Sequence, residues 1–461
     1  MRSSRFASLL ALGALAAATS PALATETQPS APERYSLDNG IDVALDPIPG
    51  RRTVAVVVSV DAGRRDQPEG WSGLAHLTEH LLYQGTTAAP GEFLSRLERL
   101  GASGFNGQTG DDWTRYYEVV PSSRLEQALW LEAERFAHGV DDLHEAGVEE
   151  QRRVLDRERE LRTHFGREEV WELVQEILYP AGHPYSHSRE RRDDVHAAHV
   201  RAVRWFFQRY YGPDMLTVSL SGGFDPSEAR RWIARYFGPL RRSGLAPPPA
   251  WDVPAEVDLG GERRVVAEAN RATDALYVIW PTPPWGTAPD AALDFVAAHL
   301  ERALTERLVR SDQAIEVDVS QISRALASHF MIQITVPHRA GTLTPLRAVD
   351  AELRALRGGG IEAERVERIR RRWRAEEVRT MDASLTRALR HAERVPSFAG
   401  GRYELAANLA RYDAVTAADV HAAAVRHLHT RRRLVVSLSS RSNAPPEGRI
   451  VRDIMYEGES P

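Results

Sequence analysis

The stretch SGLAHLTEHLLYQGT, residues 72–86, places two histidines four residues apart, with a glutamate directly before the second. On an α-helix, residues i and i+4 lie on one face with Cβ atoms about 6 Å apart, so His76 and His80 can bind one metal ion. Zinc readily accepts imidazole nitrogen, and a catalytic zinc commonly keeps three protein ligands and one position for water. Glu79 would stand beside that water and could accept its proton. The spacing HxxEH therefore predicts a hydrolytic metal site; histidines that bind no metal are the alternative.

A third ligand is expected on the acidic helix predicted over 149–165. The apolar residues that define the inward face of this helix are Val154, Leu155 and Leu161. Glu158 is spaced three or four residues from each of them, so we predict that it shares their face and completes the site. Glu160 falls on the far side. Glu150 lies near the helix start, where the helix dipole already accounts for an acidic residue.

Three segments recur in the same order 218 to 225 residues later, which indicates a duplicated domain. The pairs are DVHAAHVR at 194–201 with DVHAAAVR at 419–426, LTVSLS at 216–221 with LVVSLS at 434–439, and LAHLTEH at 74–80 with AAHLERA at 297–303. Strand-like runs and amphipathic helices occur in both copies. We therefore predict an α+β fold with two homologous domains, each a mostly antiparallel sheet packed against helices.

The predicted organisation follows from this duplication and from a proline- and glycine-rich stretch between the copies. It comprises a signal peptide over 1–24, an N-terminal metal-binding domain over 33–240, a linker over 241–261, a C-terminal homologous non-catalytic domain over 262–442 and a tail over 443–461.

The first 24 residues have the features of a secretory signal peptide. Arg2 and Arg5 precede an apolar run over 6–18, and Ala22-Leu23-Ala24 fits a small-residue cleavage site. A retained membrane anchor is the alternative, but the run is short for a bilayer, and no later segment offers about 20 uninterrupted apolar residues. We therefore expect an exported, periplasmic or secreted protein with no transmembrane segment after cleavage. The formal net charge of −5 argues against nucleic-acid binding, which requires a basic surface.

These motifs resemble the inverted-zinc-motif peptidases of the pitrilysin/insulinase family, and specifically its half-length, processing-peptidase-like branch. GLAHLTEHLLYQGT is similar to the zinc turn of the family, and ERELR after QRRVL is similar to the segment that carries its third ligand. The resemblance covers nearly all of the chain after the leader and also implies Glu158 as that ligand. The family often has a glutamate seven residues earlier. Gln151 stands there in this chain, so weaker support of the ligands by charge is expected.

The segment GASGFNGQTGDDWTRYYEVVP, 101–121, resembles a sheet edge that binds substrate in this family. The resemblance implies that Asn106 and Thr109 bind substrate, while Gly107 stands where alanine is more usual. An open edge with a side-chain amide can pair with an extended peptide backbone. A simple hairpin that binds no ligand is the alternative.

The resemblance also implies a partner. In this family the half that faces the zinc domain supplies an arginine and a tyrosine, and in half-length members this half often belongs to a second chain. The corresponding stretch is 304–320, where Arg310 could serve as the arginine but Ile315 replaces the tyrosine. A heterodimer with a second half-length family chain that supplies the Arg/Tyr pair is expected. The alternative is that this chain works without the tyrosine.

The sequence thus predicts an exported zinc metallopeptidase that hydrolyses short or unfolded peptides. One Zn²⁺ per chain would be held by His76, His80 and Glu158, with Glu79 as general base. The alternative is a non-catalytic structural or peptide-binding subunit of the same fold.

Overall fold

The computed structural model describes most of the chain in several stretches. These are residues 31–165, 174–175, 177–187, 190–241, 251–254, 257–269, 272–338, 340–441 and 449–457. The predicted signal peptide over 1–24 lies outside these residues, as do residues 242–250 of the predicted linker. Helices pack on two six-stranded sheets, which confirms the predicted α+β fold class with two homologous halves.

The first sheet is built from the N-terminal half of the chain. Its strands are β1 (Glu33–Ser36), β2 (Asp42–Pro47), β3 (Thr53–Val60), β4 (Ser103–Thr109), β5 (Thr114–Pro121) and β6 (Leu216–Gly222). Their order is β1-β2-β6-β3-β5-β4, in which β2 and β6 are parallel and the other neighbours antiparallel. β4 ends this sheet, so among the described residues one of its edges is open for pairing.

The second sheet repeats this arrangement. Its strands are β7 (Gly261–Ala269), β8 (Asp274–Thr282), β9 (Glu316–Ile322), β10 (Ser328–Val336), β11 (Arg433–Ser440) and β12 (Arg449–Glu457). The order is β12-β7-β11-β8-β10-β9, with β7 and β11 as the parallel pair. LTVSLS lies in β6 and LVVSLS in β11, and each strand is parallel to one neighbour and antiparallel to the other. The repeated segments therefore occupy the same place in the two sheets.

The outermost strand next to the parallel pair has a different origin in each sheet. β1 precedes β2 in a hairpin, whereas β12 comes from the C-terminal stretch 443–461 that the sequence analysis assigned to a tail. β12 pairs antiparallel with β7, and the side chains of Arg263 and Asp453 form an ion pair at 2.6 Å across the two strands. Residues 449–457, which lie within the stretch predicted as a tail, thus form the outermost strand of the sheet.

Helices cover both sheets. Those among the described residues are α1 (Leu74–Leu81), α2 (Phe93–Arg99), α3 (Leu125–His138), α4 (Glu145–Phe165), α5 (Arg192–Ala197), α6 (Val200–Tyr210), α7 (Pro226–Phe237), α8 (Ala288–Leu304), α9 (Leu343–Gly359), α10 (Ala363–Thr380), α11 (Ser384–Ala392), α12 (Leu405–Asp413) and α13 (Ala417–His427). α1 packs against α4, α6 and β4. Within the described part of the chain, no helix combines the length and the apolar character needed to span a membrane.

Both faces of the central strand β3 are buried, and a helix from the second half covers one of them. β3 reads TVAVVVSV, a run of β-branched residues typical of a central strand. Because side chains alternate along a strand, Val56 and Val58 face the core of the first half, whereas Ala55 and Val57 face Ala388 of α11. The second half therefore supplies part of the packing of the first.

The reverse also holds, because side chains from residues 177–187 of the first half pack against the second sheet. Tyr179 and Tyr185 lie in one buried cluster with Ile279 of β8 and Val436 of β11. The two sheets are thus covered reciprocally. Burial of this kind contributes about 25 cal/mol per Å² of apolar surface, so each half stabilises the other.

A buried ion pair accompanies α11 on the first sheet. Arg387 donates two hydrogen bonds of 2.5 Å to the carboxylate of Asp46, a residue only 1 % exposed on β2. Ser221 donates to the same carboxylate at 2.7 Å, and His391 lies 3.3 Å from it. Burial alone would raise the pKa of Asp46, but the hydrogen bonds from His391, Arg387 and Ser221 hold that pKa well below its usual range. The carboxylate is therefore charged and fully partnered.

Candidate metal centre and active site

α1 is positioned by its first turn and its apolar face. It begins after Gly73, whose φ of +86° lies in the left-handed region that glycine adopts without strain. The side chain of Gln67 accepts a hydrogen bond of 2.9 Å from the backbone N–H of Ala75, which satisfies a free donor of the first turn. Leu74, Leu77 and Leu81 are fully buried. This packing turns His76 and His80 together toward α4.

The three predicted ligands come together at one point. His76, His80 and Glu158 each offer a ligand atom, and these atoms all lie within 4.8 Å of one another. The two Nε2 atoms are 3.2 Å apart, and each lies 3.7 Å from an oxygen of the Glu158 carboxylate. Two imidazole nitrogens and one carboxylate oxygen form a donor set that suits zinc and leaves a fourth position open.

Both imidazole rings are oriented by a polar contact at Nδ1, the ring nitrogen on the side away from the proposed metal position. Nδ1 of His76 lies 2.9 Å from Oε2 of Glu190, and Nδ1 of His80 lies 3.3 Å from Oε1 of Gln151. A carboxylate oxygen or an amide oxygen accepts, so Nδ1 carries the proton and the lone pair of Nε2 points into the centre. This tautomer is the one that a metal at Nε2 requires, and the donor set therefore fits zinc.

Glu79 lies beside the ligands and is buried, with 5 % of its surface exposed. Thr109 on β4 donates a hydrogen bond of 2.5 Å to Oε2 of Glu79. Burial raises the pKa of Glu79, and the neighbouring His76 and the Thr109 hydrogen bond act against this rise. A buried carboxyl group that a hydrogen bond orients beside a metal centre is suited to accept and return a proton.

Glycine at position 107 gives the carboxylate of Glu79 its space. A Cβ atom on Gly107 would lie 2.4 Å from Oε1 of Glu79 and 2.9 Å from Cε2 of Tyr83. The alanine that is more usual at this place in the family would therefore displace Glu79 from the position it has here.

The two residues expected to bind substrate lie on β4 but differ in surroundings. Asn106 is exposed on this edge strand, opposite Tyr117 of β5. Thr109 is only 7 % exposed, and its hydroxyl is engaged with Glu79. Asn106 is therefore placed where a bound peptide can reach it, whereas Thr109 acts on the acid.

The inward face of α4 is narrower than the sequence pattern predicts. Leu155 is 1 % exposed, but Leu161 is 59 % exposed and does not belong to the inward face. At 100° per residue, Gln151 and Glu158 lie within about 60° of Leu155, whereas Leu161 lies about 120° away. The structure brings Glu158 to the two histidines, but Leu161 does not belong to the face by which Glu158 was chosen. The competing acids Glu150 and Glu160 are both exposed.

Arg310 is not brought to this centre by any described contact. It follows the helical turn Thr305–Val309, its side chain is 75 % exposed, and its guanidinium lies 3.8 Å from Glu306. Ile315, at the place of the family's tyrosine, is 53 % exposed. Both residues are accessible to a second chain.

Glu190 was missed by the sequence analysis, although it is the acid nearest to His76. It lies 110 residues after His80, in a charged stretch RERRDDV that contains no pattern specific to metal support. Its approach to His76 depends on a contact between distant segments, Ser72 with Asp194, which the sequence does not encode locally.

Fold and site together define a class: a duplicated α+β protein with an inverted zinc-peptidase motif in its first half. The family description "Insulinase (Peptidase family M16)" matches residues 42–183, and "Peptidase M16 inactive domain" matches residues 200–372. The chain belongs to this pitrilysin/insulinase-type peptidase family, M16.

Curated relatives are similar over part of their length. An uncharacterized zinc protease of Bacillus subtilis, YmxG, is 25 % identical over 223 residues, which are 47 % of this chain and 53 % of that protein. An uncharacterized zinc protease of Mycobacterium leprae is 29 % identical over 229 residues, or 47 % of this chain and 48 % of the relative. The chain thus spans about half the length of these curated relatives.

Solved structures share the fold over nearly the whole chain. A protease from Helicobacter pylori is 20 % identical with a TM-score of 0.80, and the match covers 90 % of this chain and 100 % of that one. Pitrilysin is 17 % identical with a TM-score of 0.74, covering 93 % of this chain and 48 % of pitrilysin. At these identities the likeness establishes the two-domain fold.

Proposed function

We propose that this protein is a zinc metallopeptidase that hydrolyses peptide bonds in short or unfolded peptides. The observation that carries the proposal is the convergence of His76, His80 and Glu158 on one point beside the buried carboxyl group of Glu79. The names of the curated zinc proteases support the same reaction class.

Each residue of the centre has a distinct task in this proposal. His76, His80 and Glu158 hold one zinc ion, which supplies Lewis acidity that polarises the scissile carbonyl and acidifies water. Glu79 accepts a proton from the attacking water and returns it to the departing amine. Thr109 keeps the Glu79 carboxyl group oriented through its hydrogen bond.

The open edge of β4 is the proposed substrate site. A peptide added as a further strand would pair with the backbone of β4, and Asn106 would hold its backbone through the side-chain amide. Main-chain pairing requires an extended, unfolded segment and little sequence specificity. This requirement fits short peptides better than folded proteins.

Export and a partner chain complete the proposal. The N-terminal sequence supports export to the periplasm or beyond, and a structural neighbour, PqqL of Escherichia coli, is described as a periplasmic protease. A second half-length family chain would supply an Arg/Tyr pair opposite the zinc, with Arg310 of this chain available to a partner. A phenol is needed because the aliphatic Ile315 cannot donate to a developing oxyanion.

The test compares wild type with Glu79→Gln for zinc content and for cleavage of an internally quenched fluorescent peptide. Glutamine keeps the size of the side chain and its acceptor for Thr109 but cannot take a proton. We expect zinc to remain bound while turnover falls about 10²- to 10⁴-fold. Glu160→Gln, which removes an exposed carboxylate from α4, is the control and should keep full turnover.

A non-catalytic, peptide-binding subunit is the competing function. It would bind zinc and peptide in both proteins and give the same negligible turnover in both, with or without a partner chain. That result would exclude the peptidase proposal.

A further inference from the structure

Glu190 places a second buried carboxylate beside the metal centre, 5 % exposed and 2.9 Å from Nδ1 of His76. A buried carboxylate is costly unless hydrogen bonds and opposite charge compensate it. We propose that Glu190 is a positioning residue of the metal centre: it fixes the His76 tautomer that presents Nε2 to zinc and thereby raises zinc affinity. This inference rests on the proposed function, because it requires that zinc is the resident metal.

Ser72 docks the stretch that carries Glu190 onto the start of α1. The hydroxyl of Ser72 donates to Asp194 at 2.7 Å, and its backbone N–H lies 3.2 Å from the same oxygen. The backbone N–H of Arg191 in turn donates to the Ser72 hydroxyl at 2.8 Å. Arg191 directly follows Glu190, and Ser72 lies four residues before His76. This hydrogen bond therefore keeps Glu190 close to His76.

The backbone at Gly73 leaves room for the Glu190 side chain. A Cβ atom at this position would lie 2.8 Å from Cγ of Glu190 and 2.4 Å from Cγ2 of Val195. Gly73 therefore serves two ends: it adopts the positive φ that begins α1, and it lets Glu190 approach His76.

The same stretch is also attached to the helix of the third ligand. Asp156 on α4 lies 2.9 Å from Nε2 of His196 and 3.2 Å from a guanidinium nitrogen of Arg192. Residues 190–196 therefore bridge α1 and α4, the two helices whose side chains must meet on one ion. Such anchoring limits the movement of Glu190 relative to both ligand helices.

The two ligand histidines differ in the charge of the side chain that contacts their Nδ1 atom. Nδ1 of His76 contacts the carboxylate of Glu190, whereas Nδ1 of His80 contacts the neutral amide of Gln151. A carboxylate behind a ligating imidazole makes the ring a better donor to the metal and fixes its orientation. Gln151 gives no negative charge to the His80 ring, whereas Glu190 gives one to the His76 ring.

The test measures the zinc dissociation constant by chelator competition in wild type, Glu190→Gln and Glu190→Ala. Glu160→Gln, which removes one carboxylate from an exposed site on α4, is the charge-matched control. We expect zinc affinity to fall 10- to 100-fold in Glu190→Gln and at least as far in Glu190→Ala. The control should stay within about twofold of wild type, since exposed charges are screened.

A second readout is the imidazole tautomer of His76 in the zinc-loaded wild type, observed by ¹⁵N NMR. A protonated Nδ1 with zinc on Nε2 is expected, and zinc on Nδ1 would overturn the inference even if the variants fail to fold. Equal zinc affinity in wild type and both Glu190 variants would also overturn it. Absence of zinc binding by the wild type would instead refute the proposed function, so the two failures are distinguishable.

Discussion

The two halves of the molecule share one strand order, yet they differ at the helix that follows β3 in the first sheet and β8, its counterpart, in the second. In the first half this helix is α1, which has eight residues and carries two ligand histidines. In the second half it is α8, which has seventeen residues and keeps only His299 of the motif. When LAHLTEH and AAHLERA are aligned, Arg302 and Ala303 replace Glu79 and His80.

This difference teaches that the fold does not depend on the metal site. Arg302 forms an exposed ion pair of 3.0 Å with Glu306, one turn further along the chain. Burial lowers the pKa of His299, which favours a neutral imidazole in the second half. Two sheets of the same topology thus differ in ligand residues, and among the described residues the candidate metal cluster lies in the first half.

The largest expected effect is a loss of zinc affinity when a proposed metal ligand of the first half is substituted. Glu158→Gln replaces a carboxylate by a neutral amide, a much poorer ligand, and should weaken zinc binding more than about 100-fold, beyond the effect of a supporting residue. Glu160→Gln on the same helix and His299→Ala on α8 should bind zinc as wild type does. Chelator competition measures all three, and a loss of zinc in His299→Ala would break the distinction between the halves.

The next largest expected effect is a loss of stability when the contact between α11 and the first sheet is disrupted. Arg387→Ala leaves the buried carboxylate of Asp46 without its main partner, and we expect a loss of about 3–5 kcal/mol in the free energy of unfolding. Urea denaturation of the purified chain measures it. Arg379→Ala, whose side chain is 72 % exposed, should cost less than about 1 kcal/mol.

A second substitution sharpens this prediction. Adding Asp46→Asn to Arg387→Ala removes the unpaired charge and should restore part of the lost free energy. If Arg387→Ala were as stable as Arg379→Ala, α11 would not stabilise the first sheet in the way described.

The smallest effect is a pH dependence at the opposite contact, where the first half covers the second sheet. Nδ1 of His183 accepts a hydrogen bond of 3.1 Å from the backbone N–H of Tyr185, and burial, with Arg324 and His187, lowers the pKa of His183 to about 4. As the pH falls from 6.5 to 4, the unfolded chain gains a proton that the folded chain does not. Stability from this histidine is therefore complete above pH 6.5 and decreases below it.

His183→Asn keeps an acceptor for Tyr185 but cannot titrate. The difference in unfolding free energy between wild type and this variant should fall by up to about 1.4 kcal/mol per pH unit below pH 6.5. Urea denaturation at pH 7, 6 and 5 measures this difference, with substitution of the exposed His138 as control. A difference that does not change with pH would contradict the neutral, buried state of His183.

The parts of the site that were predictable are those set by spacing along one element. His76, Glu79 and His80 lie on a single helix, where the covalent chain and 3.6 residues per turn fix their relation. Glu158 could be chosen because α4 is also regular. Leu161 was wrongly assigned to the buried face of α4. An apolar pattern over two helical turns does not show where the packed face ends.

The parts that were missed depend on contacts between distant segments. Glu190 reaches His76 only because Ser72 binds Asp194, and no local pattern encodes that pairing. The strand β12 was read as tail because its partner β7 is almost 190 residues earlier in the chain. Reciprocal covering by α11 and by residues 177–187 likewise arises from tertiary packing, which periodicity within one segment cannot reveal.

The central claim is that one zinc ion binds in the first half of the chain and none at the equivalent helix of the second. Anomalous diffraction at the zinc edge, from crystals of zinc-loaded protein, tests it most directly. We predict one peak per chain, within coordinating distance of His76 Nε2, His80 Nε2 and the Glu158 carboxylate. A zinc-loaded crystal with no peak at these residues, or with an equal peak beside His299, would contradict it.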